Sequence, residues 1–512
     1  MNENGSDQDR FSGRQSHTAH RVHTSWLARA CAALIFSVAA AFALPAQTFK
    51  TLYSFTGGAD GYYPGAALVQ GNNGMLYATT TEGGGEEGGT VFEITPGGHL
   101  TVLNGFLTAD GFESSALVQA GNGTLYGAAV YGGAYKAGTV FTVTPAGSLA
   151  PLYSFCSQSG CADGSTPQSA VLAGLDGNFY GTTTAGGANC VSQGGCGTAF
   201  KITPGGALST LYNFCSQTNC ADGFLTWSAL VQGTDGAFYG TAAWGGVGGC
   251  FGSGCGTIFK ITPAGQYSVM YRFCAQLGGC LDGGNPVGGL VEGLDGNFYG
   301  TTWEGGANGG GTVFKMTPAG TLTTLYSFCS QTNCADGSSP ETALIQGTDG
   351  NIYGTTSQGG GMGGNAGTLF KVTTSGALST LYSFCSQQDC EDGAGPSALI
   401  QDTNGTFYGT TGFGGSTDCP SGCGTVFSLA VGLHPFVAEQ PTAGKVGTPV
   451  RILGTNLTGA TSVTFNGAAA TFRVISSSLI TTTVPAGATS GRVEVTTPGG
   501  TLSSNKPFRV KQ

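Results

Sequence analysis

The chain has 512 residues, with 18 Lys or Arg against 28 Asp or Glu, so its formal net charge is −10. An acidic chain in which charged residues make up only 9% does not offer the basic surface that nucleic acids require, so we expect no nucleic-acid partner. Glycine contributes 93 residues, a proportion that would indicate disorder if it were not periodic. These glycines recur at fixed turn positions of a repeat, which favours a folded array.

The first 46 residues are interpreted as a secretory signal peptide. Four arginines precede an apolar run of 14 residues from Ala30 to Ala43. This run is too short to cross a bilayer, and small residues that suit signal cleavage lie at its end. No other stretch is long and apolar enough to span a membrane. We therefore expect an exported protein without a membrane span after cleavage: secreted, periplasmic or on the cell surface.

After residue 46 the chain consists of seven copies of one pattern, of which Ala343–Phe384 is the clearest. This copy contains the runs ALIQ, IYGTT, TLFKV and LSTLYSF, bounded by Asp-Gly or glycine. Short runs rich in aromatic and β-branched residues between such turn signals predict β-strands. Four strands per repeat of this length predict a seven-bladed β-propeller over residues 47–432. The tyrosine of the second run recurs every 49 to 60 residues, at Tyr77, Tyr126, Tyr180, Tyr239, Tyr299, Tyr353 and Tyr408.

The ends of the repeat array predict how the ring closes. The array begins with Thr48–Phe55, which matches a fourth strand without the first three, and it finishes with three strands in Ser397–Ala430. We therefore expect Thr48–Phe55 to hydrogen-bond to the strand at Gly424–Ala430, because this pairing removes two free sheet edges. The alternative fold is a glycine-rich β-solenoid, in which those two segments would lie far apart.

The repeats and the C-terminal segment each resemble a known family. The pattern LYSF…DG…ALVQG.DG.FYGTT…GGTVFKITP.G, from about Phe49 to Leu433, resembles the GloVer tandem repeat of bacterial exported proteins, which implies a β-propeller-like protein and carries over no activity or catalytic residues. In residues 433–512, the stretches GTNLTGATSVTFNG and VPAGATSGRVEVTTPGG resemble the IPT/TIG immunoglobulin-like domain, which implies an extracellular spacer or adhesion module. Short strands with turn signals there predict a small β-sandwich, so the whole fold is expected to be all-β.

Cysteine usage predicts eight local disulfides. Cys31 leaves with the signal peptide, and the other 16 cysteines fall into close pairs whose members are present or absent together. Such pairs in an exported chain indicate disulfides formed in an oxidising compartment. Zinc is the alternative, but a zinc site gathers about four ligands and the mature chain has two histidines, so no metal is predicted. The predicted pairs are Cys156–Cys161, Cys190–Cys196, Cys215–Cys220, Cys250–Cys255, Cys274–Cys280, Cys329–Cys334, Cys385–Cys390 and Cys419–Cys423.

An Asp-Gly pair follows the outer strand of every repeat, and its aspartate never changes to asparagine. The expected role of this aspartate is to cap amides of the adjoining loop through its carboxylate. Calcium binding is the alternative, but one carboxylate per loop supplies few of the six to eight oxygens that Ca²⁺ takes, and no cofactor is predicted. The aspartates are Asp60, Asp110, Asp163, Asp222, Asp282, Asp336 and Asp392.

Variable residues of the repeats define a candidate binding face. In a four-stranded meander, the loops after strands two and four emerge on one face, here called the long-loop face; the tight turns emerge on the opposite one, the turn face. Binding residues concentrate on variable loops held by a rigid scaffold. Aromatic and carboxylate side chains on such loops suit sugar or peptide recognition, although Trp227 and Trp303 have a core position between blades as their alternative. The candidate ligand-binding residues are Tyr131, Trp227, Trp244, Trp303, Glu304 and Phe413.

These features favour a monomeric, non-enzymatic binding or adhesion protein that recognises a glycan or an extracellular or envelope protein. Catalysis through a Ser-His-Asp or Cys-His arrangement needs an imidazole, and His99 and His434 are the only histidines of the mature chain. The alternative function is a carbohydrate-active hydrolase or lyase. Such an enzyme would use a pair of loop carboxylates, for which Glu82 and Glu304 are the candidates.

Overall fold

A computed structural model describes residues 47–85, 88–189, 195–246, 254–275, 279–360 and 366–511. The signal peptide predicted at residues 1–46, and the cysteines Cys190 and Cys250, lie outside these ranges. Within them, no helix has the length and apolar character of a membrane span. The described chain is almost entirely β-structure, with short 3-10 helices at Ser159–Cys161, Thr218–Cys220, Thr332–Cys334 and Gln388–Cys390.

Within the described ranges, the repeats form seven antiparallel sheets of four or five strands, numbered here 1 to 7 along the chain. Sheet 1 has Val69–Gln70, Leu76–Thr79, Thr90–Ile94 and Leu100–Gly105; sheet 2 has Phe112–Ser114, Val118–Gln119, Leu125–Tyr131, Thr139–Val143 and Leu149–Ser154; sheet 3 has Leu172–Ala173, Phe179–Thr182, Thr198–Ile202 and Leu208–Asn213. Sheet 4 has Val231–Gln232, Phe238–Ala242, Thr257–Ile261 and Tyr267–Arg272; sheet 5 has Val291–Glu292, Phe298–Thr302, Thr312–Met316 and Leu322–Ser327; sheet 6 has Ile345–Gln346, Ile352–Thr356, Thr368–Val372 and Leu378–Ser383; sheet 7 has Ala394–Pro396, Ile400–Gln401, Phe407–Phe413, Thr425–Ala430 and Thr48–Ser54.

The first predicted strand of the repeat is shorter in the structure. Of the run ALIQ, only Ile345–Gln346 joins sheet 6. The residues before it serve the junction with sheet 5 instead: the Thr342 carbonyl accepts a hydrogen bond from the Thr301 hydroxyl (3.5 Å), and Leu344 is buried in the core shared by the two sheets. Backbone groups that bond across a junction are not free for the ladder of their own sheet.

One aromatic contact recurs at the junctions between sheets. The phenylalanine that follows the outer strand of each sheet packs against a phenylalanine of the next sheet, with ring centroids 5.0 to 5.4 Å apart. This second phenylalanine lies in the strand that pairs with the outer strand of its own sheet. Tilted and edge-to-face contacts of this kind are favourable for aromatic pairs. The pairs are Phe106–Phe141, Phe155–Phe200, Phe214–Phe259, Phe273–Phe314, Phe328–Phe370, Phe384–Phe427 and Phe55–Phe92. The last pair joins sheet 7 to sheet 1.

The N-terminal strand completes sheet 7. Thr48–Ser54 pairs antiparallel with Thr425–Ala430, with Thr48 opposite Ala430 and Ser54 opposite Thr425. The Phe55 amide then donates a hydrogen bond to the Gly424 carbonyl (3.0 Å). The predicted pairing of these two segments is present in the structure.

Polar contacts also join sheet 7 to sheet 1. The Thr410 hydroxyl donates to the Ala66 carbonyl (3.1 Å), and the Thr403 amide donates to the Gln70 side-chain oxygen (3.2 Å). The same type of bond links other neighbouring sheets, for example from the Asn72 amide to the Gln119 side chain (2.7 Å). The junction between the first and last repeats is therefore built like those inside the array.

Six of the eight predicted disulfides lie within the described residues, and all six are present. They are Cys156–Cys161, Cys215–Cys220, Cys274–Cys280, Cys329–Cys334, Cys385–Cys390 and Cys419–Cys423. Cys196 and Cys255 are also disulfide-bonded, while their predicted partners fall outside the described ranges. Disulfides in this number are typical of extracellular or exported proteins.

The C-terminal segment forms a separate β-structure with its own core of Val437, Ile452, Phe465, Ile480 and Val495, among others. One sheet has Ala438–Gln440, Pro449–Leu453, Leu479–Thr483 and Phe472–Val474, and the other has Ala468–Ala469, Ser462–Phe465, Val493–Thr497 and Gly500–Ser503. Ala443–Gly444 pairs in parallel with Arg509–Val510. Two small sheets around one apolar core fit the predicted β-sandwich.

This domain contacts the turn face of the repeats. The Ser478 hydroxyl donates to the Asn72 carbonyl of sheet 1 (3.1 Å), and the Lys506 ammonium group lies 3.4 Å from the Glu292 carbonyl of sheet 5. The Phe436 amide donates to Thr403, at the corresponding turn of sheet 7 (2.9 Å). These partners lie in the tight turns after first strands or, for Glu292, at the end of the strand that leads into one, on the face opposite the long loops.

Candidate recognition face

Buried aspartates shape the loops of the long-loop face. Asp222 is fully buried, and its carboxylate accepts hydrogen bonds from the Tyr212 hydroxyl (2.6 Å) and from the amides of Ser216 (2.8 Å) and Gln217 (3.2 Å). These bonds fit the predicted capping role, and they supply the partners that a buried carboxylate needs. The loop is thereby fastened to the tyrosine of the outer strand. The same three bonds are made by Asp163, Asp336 and Asp392.

Asp336→Asn is expected to lower the free energy of unfolding by about 1–3 kcal/mol at pH 7, because an amide group would face donors that now bond a carboxylate. Burial acts to raise the pKa of Asp336, but hydrogen bonds from Tyr326, Ser330 and Gln331 hold it below its usual value. A lowered folded-state pKa gives stability above the unfolded value near 3.8, and this stability is lost as pH falls through the folded value. Urea unfolding at pH 7 and below pH 4 should show the difference between wild type and variant shrinking in acid. The exposed Glu391→Gln is the control, and equal midpoints at pH 7 would contradict the role.

Each repeat presents two facing residues at the rim of the long-loop face, here called a rim pair. The residue two positions after the repeated aspartate forms a β-bridge with the residue that precedes the Gly-Gly after strand two. Because backbone atoms make the bridge, the side chains are free to differ, and they lie side by side. The rim pairs are Tyr62–Glu82, Phe112–Tyr131, Ser165–Ala185, Phe224–Trp244, Gly284–Glu304, Ser338–Gln358 and Ala394–Phe413.

The next residue of every repeat has a left-handed backbone, with φ between 52° and 62°. This conformation is uncommon for residues other than glycine, because the β-carbon is crowded. Hydrogen bonds hold it in place: the Tyr63 amide donates to the Cys423 carbonyl of sheet 7, and its carbonyl accepts from the Thr81 amide. Backbone strain of this kind is often found at functional sites. The residues are Tyr63, Glu113, Thr166, Leu225, Asn285, Ser339 and Gly395.

Sheets 7, 1 and 2 bring five of these side chains into one aromatic and acidic group, here called the rim cluster: Tyr62, Tyr63, Glu82, Glu113 and Phe413. The Tyr63 ring lies 5.4 Å from the Phe413 ring and 4.8 Å from the Tyr62 ring. The Tyr62 hydroxyl donates to the Glu82 carboxylate (2.6 Å). Phe413 is 46% exposed and Glu82 is exposed, so the cluster is open to ligands.

The two candidate acids named from the sequence, Glu82 and Glu304, lie on different sheets, and Glu82 has a second carboxylate beside it. The pKa of Glu113 is raised by burial and further by the negative charge of Glu82, so these two carboxylates interact across sheets 1 and 2. The pKa of Glu304 is raised by burial, with no contribution from a second carboxylate. Glu304 belongs to the rim pair of sheet 5 and is not joined to Glu82. Sequence reasoning missed Glu113, although an acid three residues after Asp110 was the available signal.

The three tryptophans of the repeats lie apart from the rim cluster. Trp244 is partly buried and faces Phe224 in sheet 4, with ring centroids 6.4 Å apart. Trp227 and Trp303 are each 38% exposed, so they lie at the surface rather than in the core between sheets. In the described chain, no ring contact joins these residues to Tyr63 or Phe413. The long-loop face therefore carries the rim cluster on sheets 7, 1 and 2, and a separate aromatic region on sheets 4 and 5.

Tyr131 extends the aromatic surface of sheet 2. It is 38% exposed, and its ring lies 5.4 Å from that of Phe112, its rim-pair partner. Phe112 directly precedes Glu113 of the rim cluster. Of the predicted ligand-binding residues, Tyr131 and Phe413 thus fall on the three sheets that form the cluster, and Trp227, Trp244, Trp303 and Glu304 do not.

Two family profiles together cover most of the chain. Residues 34–193 and 159–364 match the Gloeobacter/Verrucomicrobia repeat, and residues 438–510 match the IPT/TIG domain. The resemblances noted from the sequence are thereby confirmed. A comparison with curated proteins found no match.

Several solved structures are similar to the chain at low identity. PorZ, a surface component of the type-IX secretion system of Porphyromonas gingivalis, is 14% identical, with 87% of this chain and 59% of PorZ aligned and a TM-score of 0.45. A candidate 6-phosphogluconolactonase from Bacteroides uniformis is 15% identical, with 62% and 83% aligned and a TM-score of 0.39. A luciferin-regenerating enzyme is 10% identical, with 76% and 98% aligned and a TM-score of 0.40. These likenesses bear on neither activity nor ligand.

Proposed function

Because the chain belongs to the Gloeobacter/Verrucomicrobia repeat family and carries an IPT/TIG domain, we propose that it is an exported binding protein whose closed seven-bladed propeller recognises glycans. Closure is supported by the pairing of Thr48–Ser54 with Thr425–Ala430 and by the Phe55–Phe92 contact, which repeats the contact of the other junctions. Export is supported by the six disulfides of the described chain.

The rim cluster is the observation that carries the proposal. Phe413 and Tyr63 present neighbouring rings on adjacent sheets, and such rings offer flat apolar faces to the C–H groups of a sugar ring. Glu82 and Glu113 supply acceptors for sugar hydroxyls beside those rings. Two like-charged carboxylates on an acidic protein disfavour anionic glycans, so neutral sugars are the expected ligands.

The C-terminal domain fits the role of a spacer. Its hydrogen bonds go to turn-face residues such as Asn72 and Glu292, so it holds the repeats from the side opposite the rim cluster. A rigid attachment on that side would present the long-loop face outward, away from whatever the domain adjoins.

Phe413→Ala is expected to weaken glycan binding about tenfold or more, because a central aromatic side chain commonly contributes over 1 kcal/mol to a binding site. A glycan array of the mature wild-type protein identifies a ligand, and calorimetry with that ligand measures the variant. Leu294→Ala is the matched control, since Leu294 is 45% exposed but lies on the turn face. Trp303→Ala reports whether sheet 5 contributes to the same site.

The array also has outcomes that oppose the proposal. Glycan binding that survives both Phe413→Ala and Tyr63→Ala would place recognition elsewhere. The protein could instead bind no glycan and capture an envelope protein, with that capture lost in Phe413→Ala. The long-loop face would then still be the binding surface, but its ligand would be a protein and not a glycan.

A glycan-cleaving enzyme is the second candidate function, and the interaction of Glu82 with Glu113 is the observation that favours it. Hydrolases use two carboxyl groups whose pKa values differ, and the pKa of Glu113 is raised while Glu82 accepts a hydrogen bond from Tyr62. Product formation from a bound glycan, lost in Glu82→Gln and Glu113→Gln but retained in Glu304→Gln, would assign this activity. If the wild-type protein binds the glycan without forming product, the enzyme hypothesis is wrong and the binding function remains.

A further inference from the structure

Cysteines of sheets 3 and 4 come together in groups of three. In sheet 4, the sulfur atoms of Cys255, Cys274 and Cys280 all lie within 4.8 Å of one another, and Cys255 Sγ is 3.9 Å from Cys280 Sγ. In sheet 3, Cys196, Cys215 and Cys220 form the same arrangement. The sequence pairs its cysteines along the chain and does not show that two pairs meet in space.

Each group arises because two sources of cysteine coincide. The loop after strand two supplies Cys255, which is fully buried, and the loop after the outer strand supplies Cys274 and Cys280, which are partly buried. In the other repeats of the described chain, at most one of these two loops contains cysteines. Cys329–Cys334 and Cys385–Cys390 come from outer strands alone.

Sheet 7 shows the opposite case, with a loop disulfide and no outer pair. Cys419–Cys423 there lies against Gly57, in the segment after the N-terminal strand. A β-carbon built on Gly57 would approach Cys419 Sγ to 2.7 Å, so the glycine leaves room for this disulfide. The chain therefore contains both types of isolated pair beside the two groups of three.

We propose that, once their disulfides are reduced, the two groups of three cysteines each bind one thiophilic d¹⁰ metal ion, Zn²⁺ or Cu⁺, through their thiolates, with water as the fourth ligand of Zn²⁺. Both ions favour sulfur ligands, and a Zn–S bond of about 2.3 Å in tetrahedral geometry separates two sulfur atoms by roughly 3.8 Å. The distance of 3.9 Å between Cys255 Sγ and Cys280 Sγ matches that separation, whereas the sulfur atoms of Cys274 and Cys280 are disulfide-bonded and move apart only after reduction. Burial of Cys255 and Cys196 shields one side of each group from water.

The redox step is ordinary thiol–disulfide exchange. Each disulfide takes two electrons and two protons from a dithiol, and the dithiol is oxidised to a disulfide in return. The cysteine thiols then lose protons to solvent as the metal ion binds their sulfur atoms. Exchange with an external disulfide runs the step in reverse: the protein thiolates are oxidised to disulfides, the external disulfide is reduced to a dithiol, and the ion is released. Metal binding and disulfide bonding therefore exclude each other.

Cobalt(II) titration of the reduced, full-length mature chain tests the site. Protein reduced anaerobically with a phosphine, which does not itself supply a thiol, is expected to bind two Co²⁺ per chain with a sulfur-to-cobalt charge-transfer absorption. Cys255→Ser and Cys196→Ser should each lower the stoichiometry from two to one, and the double variant should lower it to zero. Cys334→Ser is the matched control, since it breaks an isolated pair and should leave two. Displacement of Co²⁺ by Zn²⁺ or by Cu⁺ distinguishes the two ions.

Other outcomes overturn the proposal. A reduced chain that binds no Co²⁺, or one in which Cys334→Ser lowers the stoichiometry as much as Cys255→Ser, has no such sites. Circular dichroism of the reduced chain, recorded alongside the titration, checks that the wild type and the variants remain folded. Metal analysis of protein produced in a reducing cytoplasm is a second measurement that needs no refolding: two Zn or Cu per chain are expected, and a metal content unchanged in the double variant counts against the assignment.

Discussion

Phe55→Ala is expected to lower the free energy of unfolding of the repeat domain by about 3–5 kcal/mol, the usual cost of removing a buried phenylalanine. Phe55 is fully buried, its ring lies 5.3 Å from that of Phe92, and its amide bonds to Gly424. The side chain thus sits where the first and last sheets meet. Urea unfolding of the mature chain, followed by intrinsic fluorescence, measures the loss.

Phe214→Ala is the matched variant, because Phe214 makes the same contact with Phe259 inside the continuous array. If sheets 7 and 1 close a ring, the two variants lose similar stability. If the array is open in solution, Phe55→Ala costs far less than Phe214→Ala, since the contact with Phe92 would not exist. Leu281→Ala, at a residue that is 61% exposed, should change little and controls for truncation itself.

Glu439→Gln is expected to stabilise the C-terminal domain at pH 8 by up to about 4 kcal/mol, and to remove a pH dependence. Glu439 is 5% exposed, at a cavity of about 570 Å³ between its strand and the turns of sheets 2 and 3. Its Oε1 atom has no hydrogen-bond partner in the described chain. Burial raises the pKa of Glu439 to about 8, opposed only in part by hydrogen bonds from its own backbone amide and from the Ser504 hydroxyl. Glutamine retains the shape of the neutral acid and carries no charge.

The pH dependence has a definite sign. Between the unfolded pKa near 4.5 and the folded pKa of about 8, the folded state binds more protons than the unfolded state, so stability falls as pH rises. Each pH unit in that window corresponds to about 1.4 kcal/mol. Urea midpoints from pH 5 to pH 8.5 should therefore decline in the wild type and stay flatter in Glu439→Gln. Glu494→Gln, at an exposed carboxylate of the same domain, should follow the wild type; parallel curves for Glu439→Gln would contradict the argument.

Local sequence signals were sufficient for the strands, the disulfides and the pairing of the array's ends. Apolar runs between glycine turns predicted the strands. The array begins with a lone fourth strand, Thr48–Phe55, and ends with three strands in Ser397–Ala430, which predicted that these two segments pair. That pairing is present as Thr48–Ser54 with Thr425–Ala430. The six disulfides of the described chain join cysteines four to six residues apart, so their partners were visible in the sequence.

The grouping of functional side chains was not visible. Position in the repeat placed Glu82 and Glu304 at equivalent sites, but equivalent sites lie on different sheets. Glu82 instead interacts with Glu113, and Phe413 with Tyr63, because each loop leans on the neighbouring sheet. The contact of Cys255 with Cys280 was missed for the same reason.

The amino-acid sequence by itself determined the repeat, the strand order and the local cross-links of this protein, because hydrophobic period and turn chemistry act over a few residues. The tertiary structure decided which variable side chains share a surface, which cysteine pairs meet, and that the C-terminal domain buries Glu439 against the turn face. Those outcomes depend on how one sheet stacks on the next and how two domains pack. A repeat period defines equivalent positions along the chain but does not specify the distances between them in space.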